Sequence, residues 1–171
     1  MPMDLEEFWR LIEESREAAR GDPVAQAKAL AGKLAGYSPE DILEYEELFH
    51  DRLVESYHWA LWGAAHVING GCSDDAFEEF QAWLIGQGPE VFERVLGSPD
   101  SLAEILTDEH LEKGVLCEDL LFAGFHAYEA ATGTRPPPGV YRTSLPLEPR
   151  GRSWDEDDLP RLLPKLSERF G

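Results

Sequence analysis

The residue types best able to do chemistry fall in one stretch, Trp59 to Phe77. It holds two tryptophans, a histidine, the chain's only asparagine, a double glycine, a cysteine and a Ser-Asp-Asp triplet. Asp74 and Asp75 are the candidate catalytic residues, as general base or cation ligand. On a continuous helix, Glu55, Trp59, Trp62 and His66 lie on one stripe, because offsets of three and four bring side chains together. An aromatic wall with a carboxylate and an imidazole suits a cation or a planar ligand. Asn69, Gly70 and Gly71 tolerate the left-handed backbone of a helix end. With Ser73 they make a tight corner whose backbone has room to approach a ligand, and Trp83 is a further candidate wall. The amides that open the next helix favour an anion, but Asp74 and Asp75 already satisfy its dipole. A bound species here would be a cation or a hydroxyl- or amine-bearing ligand. The competing reading is structural: tryptophans in the core, His66 with one hydrogen bond, acids as caps.

Other chemistries stop short. His50, His58 and His66 are spaced by eight, so on a continuous helix neighbours stand about 12 Å apart and cannot share one metal. Asp51, Glu55 and His58 read as a solvated charged face. No HExxH, zinc-deaminase, GxSxG, phosphate-loop, dinucleotide-fold or EF-hand pattern is completed. No metal and no cofactor is expected. Cys72, beside the acidic pair, has its thiolate disfavoured by like charge.

The elements that must position these residues are helices. Asp4 with Glu7, Ser38 with Asp41, Asp75 with Glu78 and Ser101 with Glu104 have capping-box spacing. Asp22-Pro23 and Ser38-Pro39 place proline at the first helical position. Apolar residues recur with helical period, as in Leu5, Phe8, Trp9, Leu11 and Ile12, while period-two alternation is nowhere sustained. The pattern predicts helices over 4–20, 23–36, 39–53, 54–69, 74–87, 89–97, 101–106 and 114–132, the third and fourth being either two helices or one bent helix. The fold class is all-α, a single compact multi-helix domain. Residues 1–133 form its helical core. Residues 134–171 are a proline-rich irregular arm and an acidic amphipathic tail of the same domain. Trp154, Leu162, Leu163, Leu166 and Phe170 need burial, so a short C-terminal helix docks on the bundle. Should the arm also cover the Trp62–Asp75 corner, it is a lid.

The chain is about one domain long. Its formal charge of −19, from 34 acidic and 15 basic side chains, argues against nucleic acid, whose backbone needs a basic surface. It favours solubility, a monomer, or a basic protein partner. Two cysteines are too few for a disulfide scaffold. The start is acidic where a signal peptide would be basic, and the longest near-apolar run is too short to span a bilayer. The expected location is the cytoplasm, with no membrane partner.

Several motifs together resemble the bacterial family known as domain of unknown function 4240. They are Phe8-Trp9-x-Leu11-Ile12, Tyr37-Ser38-Pro39-Glu40-Asp41-Ile42, Ala60-Leu61-Trp62-Gly63-Ala64-Ala65, Gly70-Gly71-Cys72-Ser73-Asp74-Asp75-x-Phe77 and Phe80-x-x-Trp83-Leu84-Ile85. Pro99-Asp100-Ser101-Leu102 continues the likeness, which reaches about Tyr128-Glu129. The resemblance implies a compact, mostly helical intracellular domain with its signature on the corner singled out above. Two functions follow from the residues. The favoured one is a non-catalytic acidic binding or regulatory protein, of inhibitor or immunity type, that recognises a protein partner. The alternative is a small enzyme or small-ligand-binding protein using the Trp62–Asp75 corner.

Overall fold

The helix that buries the most residues lies at the centre. In the computed structural model, which describes residues 2–139 and 145–171, the helix α5 (Asp74–Gly86) buries Phe77, Phe80, Gln81, Ala82, Trp83, Leu84 and Ile85. Every residue from Phe80 to Gly86 is buried, as in a helix enclosed by a core. Around it pack α1 (Leu5–Ala19), α2 (Pro23–Leu34), α3 (Pro39–Glu55), α4 (Trp59–Asn69), α6 (Pro89–Gly97) and α9 (Glu118–Leu121). The remaining helices are α7 (Leu102–Ile105), α8 (Asp108–Lys113), α10 (Ala123–Thr132), α11 (Leu159–Leu162) and α12 (Pro164–Phe170). Among the described residues the only β structure is one isolated bridge, His58 to Arg150, so the class is all-α. No helix among them is long and apolar enough to cross a membrane.

Capping explains most helix starts. Asp4 accepts from the Glu7 amide at 2.8 Å, Ser38 from that of Asp41 at 3.2 Å, and Asp22 from those of Val24 and Ala25. Two expected caps differ. Ser73, not Asp75, caps α5, accepting from the Ala76 amide at 3.2 Å. The Ser101 hydroxyl instead donates to the Ser98 carbonyl at 2.6 Å, within a 3-10 turn at Pro99–Ser101 that precedes α7.

The third and fourth helices are two, not one bent helix. The break falls at Ser56–His58, where the last carbonyls of α3 need partners that the helix cannot supply. The Ser56 hydroxyl donates to the Arg52 carbonyl, the Gln81 amide to that of Leu53 at 2.9 Å, and the Arg150 guanidinium to that of Glu55. His58 then opens α4, its Nδ1 accepting from the Leu61 amide at 3.2 Å. Gln81 and Arg150 are remote in sequence, so local periodicity ran through the break.

The helix expected at 114–132 is corrected. Those residues form a non-helical stretch at Gly114–Cys117, then α9 and α10, and the unexpected helix α8 precedes them. Gly114 has φ +88°, and the Cys117 amide donates to the Glu79 carbonyl of α5 at 3.1 Å, which holds the stretch out of a helix.

The tail docks, as its apolar content requires. Leu159, Leu163 and Leu166 are buried, and full burial of each such side chain is worth about 1.5–3 kcal/mol. Leu162, expected to be buried with them, is 46% exposed, because α11 is a single turn that aims it away from the core. Polar anchors fix the register. The Arg150 amide donates to the Tyr57 carbonyl at 3.0 Å, and the Arg150 carbonyl accepts from the Trp59 amide at 2.9 Å. Asp100 accepts from the Lys165 and Leu166 amides at 3.1 and 2.9 Å and so caps α12 across the chain. Arg169 donates to the Ala103 and Leu106 carbonyls at the end of α7. Residues 140–144 of the expected arm lie outside the described residues.

Candidate functional site

The corner between α4 and α5 is built by local rules. Gly70, at φ +69°, ends α4, and the Gly70 and Gly71 amides both donate to the His66 carbonyl. A Cβ at either glycine would meet nothing within 4 Å, so backbone conformation and not close approach calls for glycine here. Asn69 donates to the Ala65 carbonyl at 3.1 Å. The Trp62 indole donates to the Cys72 carbonyl at 2.9 Å and so fastens the corner to α4. Asn69, Ser73, Asp74 and Asp75 are exposed.

The aromatic wall forms, but only part of the expected stripe belongs to it. Trp62 stacks on Phe77 at 4.9 Å between ring centroids and on Trp59 at 5.6 Å, while Tyr57 closes the row against Trp62 and Phe77. Glu55 lies on α3, beyond the break, where its carboxylate pairs with Arg52 at 3.2 Å. His66 turns to the other side, against Trp154 and 3.1 Å from Glu156. Trp83 is 1% exposed, packed on Phe80 and edge-on to His110.

The corner's electrostatics are set by like charge. Burial, then Glu118, Asp75 and Glu78, push the Glu79 carboxyl above its ordinary value. Burial and Glu79 push the Cys72 thiol up to about 11, which leaves it a poor nucleophile at neutral pH. Burial, Asp74 and Glu148 raise Tyr57. Among the described residues, Asp75, Glu78, Glu79 and Glu118 form no ion pair, and no group of three or more His, Cys, Asp or Glu is placed to hold a metal ion.

A ligand-sized space lies elsewhere. A cavity of about 780 Å³ lies between α4, the Leu96–Asp100 turn and the tail. Its floor is Gly63, where a Cβ would meet the Trp154 indole nitrogen at 3.0 Å and a Leu159 methyl at 3.1 Å. The Trp154 indole donates to the Trp59 carbonyl at 2.6 Å. The tail thus meets α4 at Trp59, Gly63 and His66, one face of the helix, while Trp62 faces the corner. Sequence reasoning did not find this cavity. The chain's one visible signal is Gly63 inside an otherwise apolar helix, the mark of a close approach.

Comparison with known proteins gives one match. The family model described as protein of unknown function (DUF4240) matches residues 3–130, a span that contains the corner and ends before the tail. No curated protein and no solved structure matches the chain. With three quarters of its length matched, the chain belongs to the family of proteins of unknown function DUF4240.

Proposed function

We propose that this is a non-catalytic acidic binding protein that recognises a basic protein partner through the α4–α5 corner. One observation supports this above others: Asp75, Glu78, Glu79 and Glu118 lie close enough to raise the Glu79 pKa, with no cation among the described residues to compensate them. Such a cluster opposes folding, and a cationic partner would relieve it. Asp74 and Asp75 act here as surface charges beside the Ser73 cap.

The experiment is capture from the source cell's extract on immobilised protein at low and high salt, followed by reconstitution with the purified partner. A basic partner is expected, with an association rate that falls steeply as salt rises. Combined Asp75→Asn, Glu78→Gln, Glu79→Gln and Glu118→Gln substitution should weaken the complex at least ~10-fold, or about 1.4 kcal/mol. A partner whose affinity ignores both salt and these substitutions overturns the reading.

A further inference from the structure

We infer that the cavity between α4, the Leu96–Asp100 turn and the tail is a binding site for a small organic acid, an anionic group carried on an apolar body. Its volume of about 780 Å³ is within the usual range for small-molecule sites, roughly 300–1,000 Å³. Ala60, Leu96, Trp154 and Leu162 give it apolar walls, and Arg150, Arg152 and Arg161 reach it from the tail. Three arginines lining one cavity stand out in a chain with 15 basic and 34 acidic side chains.

The charges do not cancel. The cavity's two carboxylates are already engaged: Asp100 holds the first amides of α12, and Asp158 holds the Asp155 amide and lies 3.8 Å from Arg161. Arg150 spends its hydrogen bonds on the neutral carbonyls of Val54 and Glu55. Among the described residues neither Arg150 nor Arg152 is in an ion pair. His58 adds a neutral donor. Its Nδ1 accepts from the Leu61 amide, which leaves the proton on Nε2. The protein's overall negative charge acts against an anion only at range, since salt screens it beyond about 8 Å at physiological ionic strength. At hydrogen-bond distance the guanidinium groups decide, and their planar forks match a carboxylate or sulfonate. Leu162 finds its role here too: exposed on α11, it offers the bound molecule an apolar wall.

This inference is independent of the corner. The probe is anilinonaphthalene sulfonate, titrated into the full-length protein by fluorescence, with phenylnaphthylamine as its uncharged counterpart. Saturable binding of one equivalent of the sulfonate is expected, with the uncharged dye at least ~10-fold weaker. Arg152→Gln combined with Arg161→Gln should weaken the sulfonate at least ~10-fold and leave the melting temperature unchanged, because both side chains are exposed. Arg135→Gln, on an exposed residue that is not part of the cavity lining, should leave affinity as it was. Arg152→Lys, which keeps the charge, should retain more of the affinity than Arg152→Gln. Equal affinity in the double variant, equal or tighter binding of the uncharged dye, or no saturable binding would overturn the site.

Discussion

The two faces of α4 differ in where their partners come from. On the corner side, Trp62 meets Cys72 ten positions away and stacks on Phe77; on the tail side, Trp59 meets Trp154 ninety-five positions away and His66 meets Glu156 ninety positions away. The near face closes on itself and leaves an acidic surface. The far face is closed by docking, which leaves a ligand-sized space with arginines around it. A dense cluster of chemically capable residues in sequence can therefore mark a well-capped turn, while space for a ligand arises where distant segments meet.

The largest effect should come from breaking the far face. Trp154→Ala removes the hydrogen bond to the Trp59 carbonyl and the contacts with the Trp59 and His66 rings and with Gly63. We expect a loss of about 3 kcal/mol in urea denaturation, near the low end for aromatic truncations, with faster amide exchange throughout 153–170. Unchanged stability and exchange would mean that the tail is not held by this anchor.

A buried carboxylate away from both faces calibrates the corner's charge. Glu7 accepts from Arg10 at 2.5 and 2.7 Å and from the Tyr37 hydroxyl at 2.5 Å, and the Arg10 bonds foremost hold its pKa down to about 2. Glu7→Gln should cost about 2 kcal/mol at neutral pH, as expected for lost hydrogen bonds to a charged group. The folded pKa lies below the ordinary value of 4.5. Glu7's contribution is therefore complete above about pH 4.5 and is lost as pH falls through about 2. Stability curves of the two proteins should converge over that window, and parallel curves would contradict this.

Within the corner, cap and charge should separate. Ser73→Ala removes the acceptor for the Ala76 amide and should cost about 1 kcal/mol. A change under about 0.3 kcal/mol would move the capping role to Asp74 or Asp75.

The smallest effect has the opposite sign. Glu79 is raised above its ordinary value by burial and its acidic neighbours, so its ionisation opposes folding, and stability is gained as pH falls through its folded pKa towards the unfolded one. Glu79→Gln should stabilise by a few tenths of a kcal/mol at pH 7, most at low salt, because exposed charges are screened. Destabilisation on this substitution, measured by thermal melting, would remove the unrelieved charge on which the partner reading rests.

What was legible follows the same division. Asp4, Asp22 and Ser38 cap their helices through amides two or three residues on, so they can be read one segment at a time. The end of α3 cannot, because Gln81 and Arg150 complete its carbonyls from elsewhere in the chain. Trp59 and Trp62 stack as helical spacing implies, yet Glu55 is parted from them by the break at Ser56–His58 and His66 is taken by Trp154 and Glu156 of the tail. Leu162 shares its period with Leu159 and Leu166, but one-turn helices have no sustained face, and it lines the cavity instead.

The central claim is that α4 divides two recognition surfaces of opposite charge. Chemical-shift mapping on isotope-labelled protein tests it most directly, with a lysine- and arginine-rich peptide in one titration and anilinonaphthalene sulfonate in the other. The peptide should shift the amides of Gly70 to Glu79 and of Glu118, and the sulfonate those of Ala60, Gly63, Ser98, Arg152 and Leu162. Both probes shifting one common set of residues, or the peptide mapping to the cavity, would contradict the division.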